Sequence, residues 1–124
     1  MPLQTGLLTL DCSDAKPITA FYAALLGWRE GVKWELPALF SPDGAYTMLF
    51  MAEPDYVPPV WPEENGRQQK QMHLDFVTAS LEEYRAQVER ALELGAVKAA
   101  CQENENQWTV FYDPAGHPFC VCRE

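Results

Sequence analysis

Apolar positions along this 124-residue chain follow two rhythms, strand then helix, and the pair occurs twice. The first apolar strand spans roughly Gln4 to Cys12. Ile18, Phe21, Tyr22, Leu25 and Leu26 then recur at helical spacing and predict one buried stripe. Asp14 offers an N-cap, Pro17 suits the first turn where a missing N–H costs little, and Gly27 ends the helix. Trp28 to Met51 predicts about three short strands, broken near Pro37 and at Pro42-Asp43-Gly44. A second strand-helix pair starts at Met72 to Thr78. Ser80-Leu81-Glu82-Glu83 has the capping-box pattern, Leu81, Tyr84, Val88, Ala91 and Leu92 form the expected stripe, and Gly95 stops the helix. Strands near Val97–Cys101, Gln107–Tyr112 and Pro118–Arg123 follow.

The two halves also share a turn. Phe40-Ser41-Pro42-Asp43-Gly44 precedes one strand, and Tyr112-Asp113-Pro114-Ala115-Gly116 precedes another. Ser or Asp first, Pro second and Gly fourth is type I turn chemistry. Leu7 with His73, and Asp14 with Ser80, are offset by 66, whereas Gly44 and Gly116 are offset by 72, so small insertions separate the copies. Between them, Glu53 to Lys70 carries Pro54, Pro58, Pro59 and Pro62, a density that excludes helix and central strand. The expectation is one α+β domain of two βαβββ modules: module one about 1–52, a proline-rich linker about 53–70, and module two about 71–124. A ligand site is expected where the copies meet.

Composition narrows the partners. With 48% apolar and 12% aromatic residues the chain is globular, and a formal charge of −9 disfavours phosphate backbones, so nucleic acid is not expected. No apolar run approaches the ~20 residues of a membrane span, and no signal peptide is read. Cys12, Cys101, Cys120 and Cys122 are expected to be thiols in a reducing cytoplasm. Cys120 and Cys122 alternate along one strand, a poor geometry for a mutual disulfide.

Taken in order, the duplication, Phe21-Tyr22 to Leu26-Gly27-Trp28, Met72-His73-Leu74-Asp75, Pro58-Pro59-Val60-Trp61-Pro62 and Asp113-Pro114-Ala115-Gly116 resemble the vicinal oxygen chelate superfamily. Glyoxalase I, bleomycin-resistance proteins and extradiol dioxygenases belong to it, and the linker resembles its small glyoxalase-like members. The resemblance implies a mixed sheet curved around a cleft, a homodimer, and metal ligands on the first and last strands of each module. Carried over by position, those places hold Leu7, Met48, His73 and Cys120. Only His73 is a usual ligand and Cys120 a soft one, too few for a metal held by nitrogen and oxygen donors.

Period-2 alternation puts His73, Asp75 and Val77 on the cleft face, and the repeat adds Leu7, Thr9, Asp11, Tyr46, Met48, Phe50, Pro118, Cys120 and Cys122. His73 suits a metal ligand or general base, but the favoured reading is a histidine hydrogen-bonded to Asp75 or Asp11, because its partner ligands are missing. Cys120 with His73 and Asp75 forms the catalytic candidate set, against buried thiols that act as small apolar residues. Trp28, Trp34, Trp61 and Trp108 can stack on a ligand or anchor the core. The leading expectation is a metal-free, cytoplasmic, bleomycin-resistance-like homodimer binding a small organic molecule in the inter-module cleft through Leu7, Thr9, Asp11, Tyr46, Met48, Phe50, His73, Asp75, Cys120 and Cys122. The alternative is a lyase, isomerase or dioxygenase using a divalent metal at His73 and Cys120. A third is a module that binds a protein through Pro54–Pro62.

Overall fold

Side-chain caps start both helices. Asp14 accepts from the Lys16 N–H at 3.1 Å, and Ser80 Oγ accepts from the Glu83 N–H at 3.1 Å. The Glu83 carboxylate reaches back to the Ala79 N–H, one residue earlier than an ordinary capping box would bond. The computed structural model describes residues 2–123 in two compact units, one up to Tyr56 and one from Val57 onward.

The first unit contains β1 (Leu8–Cys12), α1 (Ala15–Leu26), β2 (Arg29–Lys33), β3 (Leu36–Phe40) and β4 (Thr47–Ala52). Its four-stranded sheet runs β1-β4-β3-β2, with β1 and β4 parallel and the other neighbours antiparallel. α1 ends at Gly27, whose φ of 68° lets its N–H return to the Ala23 carbonyl. Ile18, Phe21 and Tyr22 are buried as the helical spacing predicts, and Leu25 and Leu26 are half-buried.

Two boundaries differ from the sequence expectation. β1 begins at Leu8, where pairing with Met48 begins, and not at Gln4. The break between β2 and β3 falls at Trp34-Glu35, both with positive φ (53° and 65°), and not near Pro37. Pro37 instead belongs to β3, paired with Val32 alone before β4 joins at Ala38. A strand start tolerates proline because the lost N–H removes no second ladder bond there.

The second unit contains β5 (Leu74–Thr78), α2 (Leu81–Glu93), β6 (Val97–Lys98), β7 (Trp108–Tyr112) and β8 (Pro118–Arg123). The sheet order β5-β8-β7-β6 repeats that of the first unit, again with one parallel pair, β5 with β8. Two βαβββ modules are therefore present. On α2, Tyr84 and Ala91 are buried, but Leu81 and Leu92 are exposed, so the buried stripe is narrower than the apolar pattern. β6 is only two residues long because a side chain takes over its ladder. The Gln102 amide donates to the Ala99 and Val110 carbonyls and accepts from the Val110 N–H.

The proline-rich stretch folds onto the second unit. Val60 N–H bonds the Gln68 carbonyl, closing a loop on itself. The Tyr112 hydroxyl accepts from the Trp61 N–H at 3.1 Å and donates to the Trp61 carbonyl at 2.9 Å. Gly116 is needed beneath this stretch, since a Cβ there would lie 2.7 Å from Pro58 Cβ and its φ is 86°. Among the described residues no helix is long and apolar enough to cross a membrane.

Candidate functional site

Register decides which side chains share a face, so the site is built from the pairing. In the second unit Asp75 sits opposite Cys120, Val77 opposite Cys122, Val110 opposite Cys120 and Trp108 opposite Cys122. These residues face one way. Leu74, Phe76, Thr109, Phe119 and Val121 face the other, where Thr109 bonds Tyr84 of α2 at 2.6 Å. The helix thus covers one face, and the opposite face carries the candidate chemistry, as alternation along Met72 to Thr78 predicts.

Ala99, Val110 and Cys120 form a buried apolar cluster on that opposite face, with Trp61, Trp108, Tyr112 and Cys122 packed against it. His73 lies just before β5 and brings Nε2 to 3.4 Å from Asp75 Oδ1. Cys122 donates its S–H to the same oxygen at 3.8 Å. Single donor atoms of His73, Asp75 and Cys120 all lie within 4.8 Å of one another, with His73 and Asp75 exposed and Cys120 buried. Burial first, and the Asp75 carboxylate second, push the Cys120 thiol up to about 12 and the Cys122 thiol up to about 11. Both therefore stand as neutral thiols near neutrality, which does not suit a thiolate nucleophile.

Trp61 closes one side of this group. Its ring meets His73 edge-on at 6.4 Å between centroids, and Lys70 Nζ lies over it at 4.1 Å. Lys70 also pairs with Glu63 at 3.7 Å. Trp61 Nε1 is buried and has no hydrogen-bond partner among the described residues. Proline content marked this stretch as a linker and Trp61 as a residue able to stack or anchor; its contact with His73, and the place of Lys70 over its ring, had no sequence signal. Trp28 stacks instead with Tyr46 at 6.4 Å, and Trp34 is exposed at a hairpin tip.

The first unit departs from the predicted face. Thr9 lies opposite Leu49 and Asp11 opposite Met51, while Met48 and Phe50 lie opposite Leu8 and Leu10. Phe50 stacks on Tyr22 of α1 at 6.2 Å and is fully buried. Met48 and Phe50 thus turn to the helix side, not to the side of Thr9 and Asp11. The cause is a turn one residue longer. Ser41 N–H bonds the Tyr46 carbonyl in the first unit, whereas Asp113 N–H bonds the His117 carbonyl in the second. One extra residue flips every following side chain. The counterpart of Cys120 is therefore Leu49, and Leu7 is half-buried at the counterpart of His73.

A metal centre drawing on both modules does not fit these residues. Leu7 and Leu49 carry no donor atom, Thr9 and Met51 are weak ones, and Asp11 is the single carboxylate on that face. His73 and Cys120, the two metal candidates, come together in the second unit with Asp75 as a third donor.

Comparison with known proteins gives the same architecture. A fosfomycin resistance protein, FosX, from Listeria monocytogenes matches with a TM-score of 0.70 at 18% identity, over 98% of this chain and 91% of that one. FosX from Mesorhizobium loti matches with a TM-score of 0.67 at 17% identity, over 100% and 94% of the two chains. The oxidase ChaP-H2 gives 0.70 at 17% identity, over 100% and 95%. Similarity at this level carries the fold and not the activity. No curated protein matches the sequence. Residues 7–122 match the family described as glyoxalase-like domain, and the chain belongs to that family, within the vicinal oxygen chelate superfamily.

Proposed function

We propose that this protein is metal-free, binds a small organic molecule, and works as a cytoplasmic homodimer. One observation carries the reading. The sheet face away from α2 presents an aromatic and apolar wall, Trp61, Trp108, Val110 and Tyr112, ending in a polar corner of His73, Asp75 and the two thiols. Small-molecule sites have this makeup, a largely apolar lining with a few polar groups that fix orientation. Asp75, His73, Cys120 and Cys122 are the ligand contacts of this reading in module two. Met48 and Phe50 leave the contact set because they turn toward α1. Four free cysteines suit a reducing compartment.

A thermal-shift screen tests the proposal directly. Cationic and aromatic compounds, and small phosphonic acids, would be tested in the presence of chelator. The phosphonic acids enter because a FosX mutant was solved with Mn(II) and 1S,2S-dihydroxypropylphosphonic acid. At least one class should raise the melting temperature, and Trp61→Ala should abolish the rise. No stabilisation by any class, in a screen able to detect weak binding, overturns the reading.

The enzyme alternative, a lyase, isomerase or dioxygenase using His73, draws on the proximity of His73, Asp75 and Cys120. Elemental analysis of protein purified without chelators discriminates it. A stoichiometric metal lost in His73→Ala, together with turnover, would favour the alternative.

A further inference from the structure

We propose that the ligand of this site carries a quaternary ammonium group, which takes the place of Lys70 Nζ over the Trp61 ring. The inference deepens the ligand-binding reading and rests on it. It names the chemical class, and it makes the chain's own lysine a resident competitor that the ligand displaces.

The contact stands apart from two others of its kind. Lys33 Nζ lies 5.2 Å from the centroid of Trp34, a ring that is 70% exposed, and the Arg29 guanidinium lies 4.8 Å from that of Phe40. Lys70 Nζ comes to 4.1 Å from the Trp61 centroid, with its side chain only 17% exposed and the Glu63 carboxylate at 3.7 Å. A ring face attracts a cation most strongly where water is kept away, so this is the contact with the most to offer a ligand. At 3.7 Å the Lys70–Glu63 pair is too long for a hydrogen bond, and charge and ring face hold the ammonium. Neither requires an N–H. A quaternary ammonium supplies the same charge, and its methyl groups suit the apolar wall of Trp108, Val110 and Tyr112 beside Trp61.

The proline-rich stretch is built so that Lys70 can leave while Trp61 stays. Tyr112 holds both backbone groups of Trp61, at 3.1 and 2.9 Å. The bond from the Val60 N–H to the Gln68 carbonyl closes the loop ahead of Lys70, so the lysine side chain can swing away without opening it. Charge in the same corner favours a cation. Asp75 lies 3.4 Å from His73, which meets the Trp61 ring edge-on, and the whole chain carries a formal charge of −9.

Choline and its uncharged isostere 3,3-dimethylbutan-1-ol are the probes, titrated into the full-length protein with chelator present and followed by ligand-detected NMR. Choline should bind at least about fivefold more tightly than the isostere. Lys70→Gln should tighten choline binding about fivefold or more, because the ring face is then always open. Lys98→Gln makes the same charge change at the exposed pair with Glu105 and should leave binding unaltered. Trp61→Ala should abolish binding, and Trp34→Ala should not. Trp61→Phe, which strands no hydrogen-bond partner of Nε1, should keep a weakened form. Circular dichroism checks each variant's fold, and the two lysine variants carry the test if Trp61→Ala does not fold. No choline binding by either wild type or Lys70→Gln, an isostere that binds as well as choline, or equal effects of Lys70→Gln and Lys98→Gln overturns the proposal. Failure of choline alongside Trp61-dependent stabilisation by another compound class would sink this inference alone; failure of every class would sink the proposed function with it.

Discussion

Two modules of one topology carry very different faces. Both have the strand order first-last-third-second, one parallel pair, and a helix on one side. In the second, the face away from the helix gathers His73, Asp75, Cys120 and Cys122 beside Trp61. In the first, that face offers Thr9, Asp11, Leu49 and Met51. The difference comes partly from residue identity and partly from one extra residue in the turn that closes on Tyr46. A duplicated fold thus conserves pairing while a single insertion changes what each strand shows.

The largest effect that could break this comparison lies on β4. Phe50→Ala should cost about 3–5 kcal/mol, because Phe50 is buried against Tyr22. Met51→Ala, on the other face and half-buried, should cost less than about half as much. Urea unfolding of both variants measures the pair. Equal costs, or the reverse order, would mean that the assigned faces are wrong.

The two turns offer the next test. Asp113 is buried, and its Oδ1 accepts from the Ala115 and His117 N–H groups at 2.9 and 3.0 Å. Ser41 Oγ accepts one, from Tyr46 N–H at 2.9 Å, while a separate carboxylate, Asp43, holds Ala45 N–H. The Ala45 N–H first, and the Ser41 hydroxyl second, hold the exposed Asp43 carboxyl below its ordinary pKa. Asp113→Ala should therefore lower stability by about 2–3 kcal/mol and Ser41→Ala by about 1 kcal/mol. Similar values for both would remove the contrast between one carboxylate holding two N–H groups and a hydroxyl holding one.

The smallest effect concerns rates, not stability. With thiols pushed up to about 12 and 11, Cys120 and Cys122 hold almost no thiolate at pH 8, while exposed Cys101 is accessible. Mass-spectrometric mapping of iodoacetamide labelling should find Cys101 modified first. Because the Asp75 carboxylate raises both values, Asp75→Asn should speed labelling of Cys120 and Cys122 by severalfold. Unchanged rates would show that burial alone protects them and that Asp75 does not hold this corner together.

Much of the architecture could be read before any coordinates. Asp14 and Gly27 bracket α1, Ser80 starts α2, and the paired Pro-Gly turns precede the last strands of both modules, because caps and turns are local chemistry set by a few adjacent residues. The polar corner was also partly legible: alternation put Asp75 with Cys120 and Cys122, and β5–β8 pairing agrees. His73 pairs with Asp75, one of the two partners weighed for it.

Other features depended on contacts far apart in the chain. Counting seven residues from the turn assigned Met48 to the face that Leu49 occupies, because the spacing said nothing about where the turn's hydrogen bond would close. Trp61 looked like part of a linker until Tyr112, fifty-one residues away, bound both its backbone groups and set it against His73. Leu81 and Leu92 match the helical stripe but remain exposed, since sheet geometry decides how wide a helix face can be covered. Local chemistry specifies where elements begin and end. Register, and the company each side chain keeps, follow from the packing of distant segments against one another, where a single residue of slip is enough to turn a strand over.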